Sequence, residues 1–166
     1  AREIWEGVRI LRHILQARTV RLAIEANKPD AIAALEGAAR DAEGDVALVV
    51  LETLYPQGSE KQQIFAVTGR EVPSSGLPMD VGCLVENVGT TLAVWNAVVR
   101  GWPLDQRTVT VTGSGVRSPC NVTARVGLPF RALVEAAGGL DGAAAKVVAG
   151  GPMMGFAQHT LDVSVS

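Results

Sequence analysis

Asp45-Val-Ala-Leu-Val-Val-Leu51 is apolar at every position after its first residue. A strand that is apolar on both faces belongs inside a parallel sheet. Upstream, Val20, Leu22 and Ile24 alternate with Arg21, Ala23 and Glu25, the pattern of a half-buried strand. Between the two strands, Asn27-Lys-Pro-Asp30 opens a helix. Pro29 fits its first turn, where a missing N–H costs nothing. Ala31, Ile32, Ala34, Leu35 and Ala38 form its expected buried stripe. Strand, helix, strand is a βαβ unit, and its crossover is expected to be right-handed.

Working outward, Ile4, Val8, Leu11 and Leu15 recur at helical spacing and predict an amphipathic helix over roughly the first fifteen residues. Downstream, Tyr55-Pro-Gln-Gly-Ser-Glu-Lys61 makes a turn, and a helix over Ser59–Thr68 is stopped by Gly69. A loop follows over 70–80, then a short strand over Val81–Val85 and a helix over Gly89–Arg100. Gly101-Trp-Pro103 is the expected boundary between two domains, 1–103 and 104–166. Beyond it, Arg107–Thr112 and Asn121–Val126 read as strands joined by a hairpin around Gly113, Gly115 and Pro119. A short helix over Phe130–Ala137 and a third strand over Lys146–Ala149 complete a small β-grasp-like module. The expected class is α/β: a Rossmann-like parallel sheet, then a small β-grasp domain.

Composition narrows the function classes. The chain has 166 residues, 48% hydrophobic but only 4% aromatic, so an aliphatic core is expected. A net charge of -2 without a basic cluster excludes a phosphate-backbone binder. The longest apolar runs fall far short of the roughly 20 residues of a membrane helix. Cys83 and Cys120 are isolated and read as small core residues. His13 and His159 have no companions at metal-ligand spacing, so no metal site is expected, and no Ser/His/Asp grouping marks a catalytic site. No exposed apolar stretch is expected. The chain begins in mid-helix and reads as an excised piece.

Two polar turns carry the chemistry. Gly58-Ser-Glu-Lys61 opens a helix directly after a strand, where free N–H groups and the helix dipole favour an anion. Gly58 would permit close backbone approach, Glu60 would accept from a ribose or amide, and Lys61 would counter a phosphate. The ordinary structural reading is that Gly58 serves the turn, Ser59 caps and Glu60 suits a first turn. Asn87-Val-Gly-Thr90 precedes the next helix. Asn87 and Thr90 either satisfy first-turn donors or offer an amide and a hydroxyl to a ring or phosphate. Gly113-Ser-Gly115 lacks the third glycine and the helix of a dinucleotide loop. Gly150-Gly-Pro-Met-Met-Gly155 is a packed turn or a docking loop, Met being adaptable at contact surfaces.

These segments, with Asn27-Lys-Pro-Asp30, Gly69-Arg-Glu-Val-Pro73, Gly76-Leu-Pro78, Asp80-Val-Gly82 and Thr110-Val-Thr-Gly113, together resemble the C subunit of Rnf-type membrane electron-transport complexes. A cobalamin-reductase subunit and the flavin-carrying NADH subunit of respiratory complex I are similar to it. The resemblance implies a Rossmann-like domain for FMN and NAD(H), then a soluble-ligand-binding β-grasp domain. It aligns Gly58, Ser59 and Glu60 with a glycine–acid–acid turn beside the flavin, Ser59 departing from the acid. It aligns Asn87 and Thr90 with residues that hold FMN.

Three features of the family are missing. A GGxGFPT-like phosphate loop and an Asn-Gly-Xaa-Glu-Cys-Glu-Pro segment would lie upstream, and cysteine clusters for two 4Fe–4S sites downstream. The expectation is therefore half a flavin site, with no tightly bound cofactor on this stretch alone. The implied setting is a peripheral subunit on the cytoplasmic face of a bacterial membrane, partnered by other subunits and indirectly by ferredoxin. Glu60 and Asn87 would orient cofactors and not exchange protons. The rival readings are the cobalamin-reductase subunit and a non-catalytic ligand- or partner-binding scaffold.

Overall fold

The computed structural model describes residues 1–39, 46–142 and 144–166. The chain divides into two compact units, Ala1–Pro103 and Leu104–Ser166. Unit 1 begins with α1 (Arg2–Leu15), β1 (Val20–Glu25), α2 (Pro29–Ala39) and β2 (Val46–Leu51). β1 and β2 pair in parallel, from Val20 opposite Val46 to Glu25 opposite Leu51. The βαβ reading therefore holds. Asp45, the expected first residue of the second strand, lies outside the described residues.

The core of unit 1 differs from the expected aliphatic one. Trp5 and Trp95 are among its most buried side chains, with Val8, Leu35 and Ile64. The Trp5 indole N–H donates to the Leu35 carbonyl oxygen at 2.9 Å, tying α1 to α2. The Trp95 indole N–H donates to Glu6 Oε2 at 2.6 Å and ties α1 to α4 (Val88–Trp95). A buried indole needs an acceptor, and these two anchors give each one. Ala31 and Ala34 are exposed, so the buried stripe of α2 narrows to Leu35, flanked by half-buried Ile32 and Ala38. Leu15, at the helix end, is also exposed.

Gly7 explains how α1 and α4 approach so closely. A Cβ there would run into the Thr91 carbonyl oxygen and lie 3.0 Å from Thr91 Cγ2. After α4 the chain forms one turn of π-helix over Asn96–Arg100. The Arg100 guanidinium lies over both Trp95 and Trp102, 4.6 and 4.7 Å from the ring centroids.

Between these elements lie α3 (Glu60–Thr68) and a 3₁₀ turn over Pro78–Val81. The expected strand over Val81–Val85 does not form. Pro78 starts the 3₁₀ turn, the Asp80 carboxylate accepts the Leu77 N–H at 2.8 Å, and Gly82 ends it at φ 68. A left-handed residue inside the apolar run breaks the extended backbone a strand requires.

Unit 2 contains β3 (Gln106–Val111), β4 (Cys120–Arg125), α5 (Phe130–Ala136), β5 (Val147–Ala149) and β6 (Phe156–Gln158). β3 and β4 pair antiparallel, placing Val109 opposite Val122 and Val111 opposite Cys120. Half-buried Val109, Val111 and Val122 pack on a core of Ala124, Leu133 and Val165. Cys120 shares their face of the ladder and is half-buried, as a small core residue would be. The chain end is stitched down by Gly127 N–H to Val165 O and Val165 N–H to Leu128 O, both at 2.8 Å. Arg131 adds an ion pair to Asp162 at 3.0 Å, which holds the Asp162 carboxyl below its ordinary pKa together with the Thr160 hydroxyl. β5 pairs antiparallel with β6, a short strand beyond the three that the sequence predicts for this unit.

Candidate functional site: two polar helix starts

The chain leaving β2 turns through Tyr55–Ser59. Gln57 N–H donates to Leu54 O and Ser59 N–H to Pro56 O, each at 2.8 Å. Ser59 occupies the N-cap of α3 with extended backbone, but its side chain makes no capping hydrogen bond. The first-turn N–H groups of a helix have no acceptor within it. With the hydroxyl not engaged as a cap, they stay open to an anion at the positive end of α3. Gly69 ends this helix at φ 71, where the sequence predicts the stop.

Gly58 has an informative environment. A Cβ built there meets nothing within 4 Å, and its φ is not left-handed. Nothing in the described protein therefore demands glycine at this position. Glu60 is exposed, and among the described residues its carboxylate has no hydrogen bond or ion pair.

Lys61 is committed differently. Its ammonium donates to Pro73 O at 2.7 Å and Ser74 O at 2.8 Å, clamping the following loop onto α3. One of its three donors remains for another acceptor. Arg70 works alongside it, donating through Nη1 to Val81 O at 2.8 Å. The sequence reading passes over Arg70; its signal is an arginine directly after the glycine that ends a helix. Lys61 and Arg70 together fasten the 70–82 segment at both ends.

Asn87 caps α4. Its Oδ1 accepts the Gly89 N–H at 2.7 Å, and its backbone carbonyl accepts the Thr91 N–H and hydroxyl at 3.0 and 3.2 Å. The capping reading is thus correct for Asn87, while the Thr91 hydroxyl donates back to the Asn87 carbonyl and satisfies no first-turn N–H. Cap duty occupies only the Asn87 carbonyl oxygen, leaving its amide N–H groups. Thr90 is half-buried, and its hydroxyl has no partner among the described residues. No hydrogen bond among those residues joins Gly58–Lys61 to Asn87–Thr90. His13 and His159 are exposed, and no metal-ligating cluster occurs among the described residues.

Two polar helix starts follow apolar segments of an α/β unit, with donors left over at both. Both belong to one mixed α/β unit. The chain belongs to the family of the Nuo51 FMN-binding domain, whose profile matches residues 1–96, and an SLBB domain profile matches 108–157. It is 50% identical over 165 residues to the C subunit of the ion-translocating oxidoreductase complex of Erwinia tasmaniensis, covering 99% of this chain and 20% of that protein. It is 46% identical over 159 residues to the C subunit of the proton-translocating ferredoxin:NAD(+) oxidoreductase complex of Clostridium ljungdahlii, covering 96% of this chain and 34% of that protein. The C subunit of the Salmonella gallinarum ion-translocating oxidoreductase complex is 48% identical over 165 residues, covering 99% of this chain and 24% of that protein. The chain thus spans about a fifth to a third of the length of these relatives. No described helix is long and apolar enough to cross a membrane.

Proposed function

We propose that this chain is the cofactor-orienting part of a C subunit that passes electrons between NAD(H) and iron–sulfur centres through FMN. In this reading unit 1 is part of a Rossmann-like domain and unit 2 part of a β-grasp domain. Both are completed by chain outside residues 1–166, which also brings the 4Fe–4S clusters. The subunit works peripherally on the inner face of a bacterial membrane, beside the other subunits of its complex, with ferredoxin as an indirect partner.

The single observation that carries the reading is Gly58. Glycine stands at a helix start where the described protein leaves room for a side chain. The family match then supplies a reason for it: a flat ring passing against the backbone. The residues fit such a group. The free N–H groups at the start of α3 suit a negatively charged or carbonyl edge. Glu60 accepts from a ribose hydroxyl or carboxamide, while Asn87 and Thr90 donate from the second helix start. Bound FMN and NAD(H) supply the hydride chemistry themselves; the chain's part is to orient them. Glu60 and Asn87 hold positions and move no protons. Lys61 acts chiefly by fixing the 73–74 loop, with its remaining donor available to an anion.

The test uses the full-length protein. It should purify with a flavin spectrum that NADH bleaches, and Glu60→Ala should slow that bleaching about ten- to hundredfold, the value of one charge-assisted contact. The melting temperature should barely move, because an exposed first-turn carboxylate is worth only ~0.3–1 kcal/mol to the helix. A colourless full-length protein, or a Glu60→Ala variant that melts lower while bleaching normally, would refute the assignment.

A further inference from the structure

Residues 70–82, between the two polar helix starts, are built more tightly than a connecting loop needs to be. From Arg70 the chain runs back along α3 to Pro73 and Ser74. The Lys61 ammonium holds both of their carbonyl oxygens, at 2.7 and 2.8 Å, beside the first turn of that helix. The chain then closes on itself. Gly76 N–H donates to Pro73 O at 2.9 Å, and the Asp80 carboxylate accepts the Leu77 N–H at 2.8 Å. Gly76 fits this corner closely: a Cβ there would lie 2.9 Å from Asp80 Oδ2 and 3.1 Å from Pro73 Cδ. The return leg ends at Val81, whose carbonyl oxygen accepts from Arg70 Nη1 at 2.8 Å. Gly82 closes it, and the chain reaches Asn87 through residues 83–86. Both fasteners are cations on uncharged acceptors, and among the described residues neither has a carboxylate partner. Charge-assisted bonds of this kind are about twice as strong as neutral ones.

We infer that residues 70–82 form a strap that sets the spacing of the two polar helix starts, with Lys61 and Arg70 as positioning residues for the bound cofactors. The inference rests on the cofactor reading proposed above. Gly58 and Glu60 stand at the start of α3, Asn87 and Thr90 at the start of α4, and no hydrogen bond among the described residues joins the two groups directly. Lys61 and Arg70 make the side-chain hydrogen bonds that bind α3 to the approach to α4. A cofactor gripped from both starts binds more weakly when their spacing fluctuates, because binding must then also order the strap. Arg70 separates this role from direct contact. It lies beyond the end of α3, a helix of 9 residues and so about 13 Å long, whereas the candidate site is at the helix start. A lysine that merely touched an anion would act alone; a strap makes Arg70 matter as well.

The experiment uses the full-length protein with its flavin. NAD⁺ is titrated by calorimetry into the parent, Lys61→Met, Arg70→Met and Arg70→Lys proteins. Amide hydrogen exchange over residues 74–82 is followed in the same preparations without nucleotide. The expected result is exchange about tenfold faster in both methionine variants, and NAD⁺ affinity roughly tenfold weaker in both. Arg70→Lys, which keeps a cationic donor, should restore most of each. An Arg70→Met protein that binds NAD⁺ as the parent does would overturn the inference and leave Lys61 as a direct anion contact. Faster exchange with unchanged affinity in both variants would also overturn it, as the mark of a purely structural fastening. A parent that binds no NAD⁺ would instead refute the cofactor reading and the strap's role with it, a result distinct from the other two.

Discussion

Glu6 shows how much one side chain does in unit 1. It accepts from the Trp95 indole of α4 at 2.6 Å and from Arg2 one turn back at 3.1 Å. Both interactions favour the charged form, the indole first, and hold its carboxyl below the ordinary glutamate pKa. A depressed folded-state pKa contributes stability above the unfolded value and loses it as pH falls through the folded one. The α1–α4 contact should therefore weaken as pH drops below the usual carboxylate range, about 4. Glu6→Gln should melt lower than the parent at pH 7, and its melting temperature should fall less steeply between neutral and acidic pH. Parallel pH-dependent melts of the two proteins check this; identical slopes would remove Glu6 from the contact. This network was hard to read in the sequence. The periodicity of α1 picks out Ile4, Val8, Leu11 and Leu15, and a low aromatic content argues for aliphatic packing. Trp5 and Trp95 lie far apart in the chain, and only the helix pairing shows that each indole has an acceptor waiting.

At the scale of elements, the segments whose backbone follows a local rule were legible. The parallel pair β1–β2 follows from alternation and an unbroken apolar run, and α3 ends at Gly69 as its sequence implies. The antiparallel pair β3–β4 follows from its valine–threonine alternation. The run Val81–Val85 misled because apolar content outweighs geometry in a short window. Pro78 and Asp80 instead draw Val81 into the end of a 3₁₀ turn, left-handed Gly82 closes it, and residues 83–85 take no regular structure. β6 is three residues long and exists only because the glycine loop returns it to β5, a signal that no alternation count registers. The glycines also yield a paired prediction on helix packing. Gly7→Ala would push a methyl into the Thr91 backbone, and backbone cannot step aside. It should cost ~1–3 kcal/mol as an overpacked contact, despite the better helix propensity of alanine. Gly37 in α2 has open space around it, so Gly37→Ala should be neutral or stabilise by up to ~1 kcal/mol. Melting curves decide: a Gly7→Ala protein at least as stable as the parent would mean that α1 and α4 are less closely packed than described.

For the whole molecule, the exposed surface contradicts the expectation of no exposed apolar stretch. Val98, Val99 and Trp102 are half or more exposed at the end of unit 1, as are the hairpin methionines of unit 2. Contiguous apolar exposure of this kind marks surfaces that meet other chain. It accords with a chain spanning a fifth to a third of its relatives' length. Of the candidate site, the two helix starts were visible in the sequence because Ser59 and Asn87 are residue types that begin helices. Lys61's hold on the 73–74 loop was invisible, since it depends on a loop folding back across thirteen residues. The central claim is that Gly58 is kept small for a cofactor and not for the fold, and Gly58→Ala in the full-length protein tests it most directly. The added methyl meets no protein atom within 4 Å, so melting should be unchanged or rise by the ~0.4–1 kcal/mol that glycine-to-alanine replacement brings at an unstrained site. Flavin content or the rate of flavin bleaching by NADH should nonetheless fall at least about tenfold, the equivalent of some 1.4 kcal/mol. A Gly58→Ala protein that keeps full flavin and bleaches at the parent rate would contradict the account.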